Sequence, residues 1–298
     1  MADKATVELL KDKALEIRED LLRLCRQSGM VHIGGDLSMT DIAVCLYQHV
    51  LRYDPKNPKW EGRDWFFLSK GHSGECVYMC QAQAGFFDKQ EIYDTYCALD
   101  SRFGVHPCAL ALDTFEISSG SLGHGLPVAI GAACGLRMDG KNNRVFVIMG
   151  DGECQEGTVW EGLMAAPQFK LGNLCCIIDR NRLSIDGFTE DIMALEPLAD
   201  KLRAFRWNVI DIDGNDMAQV AEAFDSLPDP GSDTPTLILA RTVKGKGIDF
   251  MENNPVWHAG MIQDDATYED CLRQVREARQ SGSRPGYEAV SSASKEGN

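Results

Sequence analysis

Two stretches, RVFVIMGDGECQEGTVWEGL and LGNLCCIIDRNRLSIDG, set Asp151 between two glycines and Asn181 30 positions later, each close behind an apolar run. The residues between them, with Glu156 and Glu161, predict a helix. A strand, helix, strand unit of this length is what a parallel crossover requires, so both side chains are expected at one carboxyl edge of a sheet. A carboxylate and an amide oxygen aimed at a common point are hard donors suited to Mg²⁺ or Ca²⁺. So few protein ligands leave the shell to be completed by phosphate oxygens and water. Gly150 and Gly152 allow close backbone approach, and amides at the following helix start would face the anion. The Leu183 carbonyl can add a further oxygen. The GDG triplet alone is common turn chemistry; the strand-end asparagine gives it meaning.

Four histidines, His32, His72, His106 and His258, each stand near glycine or proline in a predicted loop. Imidazole, with an ordinary pKa of about 6.5, is suited to moving protons near neutral pH. His124, in LGHG, reads as an active-site contact or a support for one, and His49, within a helical pattern, as structural. Lys244 and Lys246 in VKGKG read as an anion-binding loop or an exposed turn. Glu156 and Glu161, five apart, read as a solvated helix face or an interface.

The elements that must position these residues are legible in outline. Leu10, Ala14, Ile17, Leu21 and Leu24 repeat at helical spacing, and SGMVHIGGDLS reads as a glycine-bearing loop after that helix. A second helix is predicted over MTDIAVCLYQHVL, capped by Ser38 or Thr40. The strand candidates are DWFFLS, RVFVIM, LCCIID, WNVIDI and PTLILARTV. Strands separated by helices predict an α/β fold, a parallel sheet with helices on both faces, whose carboxyl edge binds ligands. One domain over residues 1–278 is expected. The polar, Ser/Gly-rich stretch 279–298 cannot offset its ordering entropy and reads as a flexible tail.

A net charge of −15 with no basic stripe excludes a phosphate-backbone partner, so no nucleic acid is expected. The eleven cysteines fall in apolar runs without zinc-knuckle spacing and read as reduced core residues. The charged N-terminus lacks a signal region, and no apolar run reaches about 18 residues. A cytoplasmic protein with no membrane contact is expected.

Further segments narrow the reading. SGMVHIGGDLS, FFLSKGHSGECVY, GVHPCALALDTFEISSGSLGHGLPVAIGAA, ARTVKGKG and FMENNPVWH, together with the GDG and asparagine pair, resemble the transketolase family of thiamine-diphosphate enzymes from about Gln27 to His258. The resemblance implies a thiamine-diphosphate-binding fold in which Asp151, Asn181 and the Leu183 carbonyl hold Mg²⁺, with Ca²⁺ or Mn²⁺ as substitutes. It implies that Gly150, Gly152 and Glu153 approach the diphosphate, that Gly120 and Leu122 line the aminopyrimidine, and that Ile185 lines the thiazolium. His72 and His258 would lie near diphosphate and substrate, His32 and His106 near sugar hydroxyls, with His32 and His258 first in line for proton transfer. Glu156 and Glu161 match a subunit-interface acid cluster.

The implied activity is transfer of a two-carbon ketol unit from a ketose or ketose phosphate to an aldose or aldose phosphate. Full-length members of the family continue into a second domain that supplies a catalytic glutamate. The expectation is therefore a separate partner subunit carrying that glutamate, an α2β2 assembly, and no turnover by this chain alone. Alternatives are the α subunit of a 2-oxo-acid dehydrogenase, a fragment of a deoxyxylulose-phosphate synthase, or a non-catalytic cofactor-binding orphan. Met30 and Val31 before His32, PCALALD after His106 and AGMIQDD after His258 depart from the family pattern around the sugar channel, leaving donor and acceptor open. Replacing Asp151 by Ala is expected to weaken cation binding and spare the fold.

Overall fold

The structure, a computed structural model, describes residues 2–281. All five strand candidates form: β1 (Trp65–Leu68), β2 (Val145–Gly150), β3 (Leu174–Arg180), β4 (Asn208–Asp213) and β5 (Thr236–Arg241). They make one parallel sheet in the order β1-β2-β3-β5-β4. β2 and β3 are buried at every position, and because successive side chains point to opposite faces, the two strands feed two cores. Phe146, Ile148, Cys175 and Ile177 join one; Val145, Val147, Cys176 and Ile178 join the other. β4, at an edge, is largely accessible.

Helices cover both faces, as predicted. The first core is closed by α1 (Lys4–Ser28), α2 (Ile33–Cys45), α3 (Gly74–Gln83), α4 (Lys89–Thr95), α9 (Met217–Asp225) and α10 (Asp265–Ser281). The second is closed by α5 (Gly125–Met138), α6 (Gly157–Gln168) and α8 (Leu198–Ala204), while the short α7 (Thr189–Ile192) follows β3. α1 begins on Asp3, whose side chain accepts from the Thr6 N–H, and ends at Gly29 with φ of 82°. The expected stripe of Leu10, Ala14, Ile17, Leu21 and Leu24 is its buried face.

Two boundaries differ from the sequence reading. α2 begins at Ile33, so most of the expected loop is helix and neither Ser38 nor Thr40 is its cap. Packing overrides the weak helix preference of glycine here. A Cβ on Gly34 would lie 2.4 Å from the Trp257 carbonyl oxygen, and one on Gly35 2.9 Å from Ser73 Oγ, so the two glycines let the helix start approach both loops. At the other end, α10 runs to Ser281, past the expected limit at 278, because Arg279 pairs with Asp12 at 2.7 Å and Glu8 at 3.0 Å on α1. The rest of the expected tail, 282–298, lies outside the described residues. All eleven cysteines are free thiols and eight are buried; burial pushes Cys25 and Cys175 up to about 12. Among the described residues no helix is long and apolar enough to cross a membrane.

Gly34→Ala is expected to lower stability by about 1–3 kcal/mol, since the added methyl meets backbone rather than a yielding side chain. Urea denaturation reads this as a lower midpoint at an unchanged slope.

Candidate active site

The register Gly150↔Asp179 places the ends of β2 and β3 side by side, so Asp151 and Asn181 emerge at one carboxyl edge, as their spacing predicted. Asp151 Oδ1 accepts from the Gly152 N–H at 2.7 Å. Its Oδ2 accepts from Arg180 Nη1 at 2.9 Å and from the Arg182 N–H. Asn181 Oδ1 accepts from the Leu183 N–H at 3.1 Å, and its amide donates to Asp179 Oδ2 at 3.2 Å. The Leu183 and Ser184 carbonyls face the Lys244 ammonium at 3.1 and 3.4 Å. Burial, then Lys70, pushes Lys244 down to about 8, while Asp151 and Asp179 act in the opposite direction.

A cationic head therefore already rests against the Leu183 carbonyl within the field of Asp151, and carbonyl and carboxylate oxygens are hard donors. Among the described residues no group of three or more His, Cys, Asp and Glu side chains could hold a metal. A cation here would have to borrow oxygens from a bound anion. Burial pushes the Asp151 carboxyl up, with Arg180 beside it pulling it down. Arg180 is almost fully buried and also pairs with Glu190 at 2.7 Å and Glu196 at 3.2 Å.

The structure brings the four expected histidines together from four separate segments. His32 lies 5.6 Å from His72, 5.9 Å from His106 and 5.4 Å from His258, ring centre to ring centre; His72 and His258 are 5.4 Å apart. His32 is the residue on which α2 starts, its carbonyl accepting from the Gly35 and Asp36 N–H groups. A bridge between Val31 and Gly260 draws the His258 segment onto it. Burial is the largest influence on three of the rings: it pushes His72 well down, reinforced by Lys70. It lowers His106, reinforced by His32, and takes His258 down to about 3, reinforced by Lys244. All three shifts favour the neutral imidazole. His258 Nδ1 lies 2.7 Å from Lys244 Nζ, joining the histidine cluster to the cation-binding edge. His124 lies outside the cluster, exposed at the start of α5, and His49 pairs with Asp225 at 2.8 Å, the structural role expected of it.

Glu153, expected at the diphosphate, has its carboxylate buried and occupied by the Ser69 hydroxyl, the Gly123 N–H at 2.8 Å and the Gly150 N–H at 3.0 Å. Its side chain ties the 120–125 loop to the end of β2. The VKGKG segment is not an exposed turn, since Lys244 and Lys246 are both buried; a Cβ on Gly245 would lie 2.3 Å from the Met251 carbonyl oxygen. Gly120, at φ of 139°, sits against His106, Leu122 is partly buried, and Ile185 projects from the 181–188 loop at 65% exposure. Glu156 and Glu161 are both exposed, on the N-terminal cap and second turn of α6.

Sequence reading missed the polar knot under the site. Asp179, fully buried, accepts from Lys70 Nζ at 2.5 Å, Ser38 Oγ at 2.6 Å and the Thr242 hydroxyl. The signal was present: a lysine directly after the apolar WFFLS run, and an acid closing LCCIID, are charges where an interior strand has no place for unpaired ones.

Residues 16–278 match the family model described as transketolase, thiamine diphosphate binding domain. The chain is 38% identical over 271 residues to one of the subunits of apulose-4-phosphate transketolase from Phocaeicola vulgatus, covering 91% of this chain and 95% of that one. It is 36% identical to 6-deoxy-6-sulfo-D-fructose transketolase subunit SqwG of a Clostridium species, covering 84% and 90%. Human transketolase is 33% identical over 86% of this chain, which spans 40% of that protein. Among solved structures, transketolase from Campylobacter jejuni superposes with a TM-score of 0.81 over 97% of this chain and 44% of its own, at 26% identity. With the family model matching most of the chain and a relative of similar length aligning over 91% of it, the chain belongs to the transketolase family, in its thiamine-diphosphate-binding domain.

Proposed function

We propose that this chain is the thiamine-diphosphate- and metal-binding subunit of a two-chain transketolase, which moves a two-carbon ketol unit from a ketose to an aldose, phosphorylated or not. The observation that carries the reading is Lys244, whose ammonium touches the Leu183 carbonyl and His258 at once. The pole suited to a metal-bound anion and the pole suited to sugar hydroxyls are thus one side chain apart. Asp151, Asn181 and the Leu183 carbonyl would hold Mg²⁺, or Ca²⁺ or Mn²⁺, and Gly120, Leu122, Gly150, Gly152 and Ile185 would border the cofactor. When bound, thiamine diphosphate supplies the electron sink for breaking and making the carbon–carbon bond.

The chain's own side chains would serve the sugar hydroxyls. His72, His106 and His258, kept neutral, present lone pairs that can accept protons or hydrogen bonds from sugar hydroxyls. His32, at the centre of the cluster, joins His258 in moving protons. The relatives of similar length are themselves named as subunits, which supports a partner chain here. That partner would supply the glutamate that activates the cofactor. Glu156 and Glu161 would face it in an α2β2 assembly. Reduced, buried thiols suit a cytoplasmic setting.

Asp151 is best tested with asparagine. Alanine would take from buried Arg180 one of its three acid partners, leaving Glu190, Glu196 and the Thr189 hydroxyl, so it would mix a structural loss with the loss of a ligand. Asp151→Asn is expected to weaken Mg²⁺-dependent cofactor binding by about 10- to 100-fold in calorimetry with the partner present. Wild-type affinity would refute the metal site.

The purified chain with thiamine diphosphate and Mg²⁺ should not transfer ketol units, whereas the chain with its partner should. Release of CO₂ from pyruvate by the pair would instead favour a 2-oxo-acid enzyme.

Acid should destabilise the chain. A histidine whose folded pKa is depressed is protonated first in the unfolded state, so its contribution, full above about 6.5, is lost as pH falls toward the folded value near 3 for His258. Denaturation midpoints are expected to drop between pH 7 and 5, and to drop less in His258→Gln.

A further inference from the structure

Behind the histidine cluster lies a pair of acids that no part of the cofactor site uses. Glu75, in the first turn of α3, is fully buried. The Tyr96 hydroxyl donates to its Oε1, and His32 Nδ1 lies 3.9 Å from the same oxygen. Both His32 Nδ1 and Glu75 Oε2 are buried without a hydrogen-bond partner. Asp36, in the first turn of α2 and also fully buried, accepts from the Cys76 N–H at 3.2 Å through Oδ1, and its Oδ2 has no partner. Burial first, and then the charge of Glu75, push the Asp36 carboxyl well up. A proton on Asp36 removes a like charge from beneath Glu75.

The other rings have different neighbours. His258 meets the Lys244 ammonium, His72 feels Lys70, and His106 packs on Gly120. The groups that face His32 are these three rings from their loops and Glu75 from α3, with Tyr96 bonded to Glu75 and Asp36 of α2 within the field of that acid. Among the four histidines, only His32 makes an acid contact.

We propose that Glu75 is a positioning residue for His32: its carboxylate takes the Nδ1–H of the ring in a hydrogen bond and so leaves Nε2 as the lone pair that accepts a proton from a sugar hydroxyl. The step is a simple proton transfer, O–H to Nε2, returned later to the product. A rotation of Glu75 that closes 3.9 Å to hydrogen-bond reach pairs an orphaned donor with the acid beside it, and a neutral imidazole can protonate only one nitrogen. The acid orients the base and sets its tautomer, a role that carboxylates fill behind histidines in other proton-transfer sites. The catalytic part of this inference rests on the transketolase reading; the pairing itself does not.

The test is ¹⁵N NMR of the whole chain labelled at its six histidines, with His32 assigned by the signal lost in His32→Gln. The wild-type ring is expected to carry its proton on Nδ1. Glu75→Leu should move or mix the proton between the nitrogens, and Glu75→Gln, which keeps a carbonyl acceptor, should retain the Nδ1–H form. With the partner, cofactor and Mg²⁺, Glu75→Leu should lower kcat by about 10- to 100-fold with KM little changed, and Glu75→Gln should recover most of it. A wild-type His32 protonated on Nε2 overturns the proposal without any variant, as does a Glu75→Leu spectrum identical to wild type. An Nδ1–H tautomer in a complex that transfers no ketol unit supports the pairing while removing the transketolase reading.

Discussion

The buried carboxylate of Asp179 is the contact on which the site's arrangement depends. It closes β3 and accepts from Lys70 at the end of β1, Ser38 on α2 and Thr242 after β5, with the Asn181 amide as a fourth donor. Removing a carboxylate from water is costly unless its charge is paired and its lone pairs are filled, and here both conditions hold. Each donor stands within a few residues of a candidate site residue: Lys70 beside His72, Ser38 after His32, Asn181 across from Asp151, and Thr242 before Lys244. One internal acid thus sets the spacing of four segments that the chain delivers from far-apart positions.

Buried charges of both signs meet at the carboxyl edge of the sheet, where Lys70, Lys244 and Arg180 stand among Asp151, Glu153 and Asp179, all buried. Charges in low dielectric act strongly at short range, whereas the surface acids behind the net charge of −15 are screened within about 8–10 Å at physiological salt. Burial, with Lys70 acting on His72 and Lys244 on His258, pushes both rings down, which favours the form that can take a proton.

Glu153 performs for the loop 120–125 what Asp179 performs for the strands. By accepting from Ser69 and from the Gly123 and Gly150 N–H groups, it joins the ends of β1 and β2 to the start of α5. Satisfied buried acids of this kind act as rigid struts, because releasing any donor leaves a polar group stranded away from water. The three short motifs around Ser69, Gly123 and Gly150 are therefore one structural unit, although about eighty residues separate the first from the last.

Sequence alone determined what repeats and what is punctuated. The five apolar runs became five strands because burial on both faces demands continuous apolar stretches. The heptad-like stripe of α1 became its buried face, and the GDG and asparagine pair reached one edge because parallel crossovers bring successive strand ends together. Tertiary structure decided what depends on partners distant in the chain. The glycines Gly34 and Gly35 read locally as a loop, but are helical because Trp257 and Ser73 press against them. The Glu153 side chain turns inward to three donors that no local pattern announces. Lys70, Asp179, Asp36 and Glu75 stand out in sequence only as charges in or beside apolar runs, and their partners are set by the fold, since a buried charge is tolerated only by neighbours that the fold supplies.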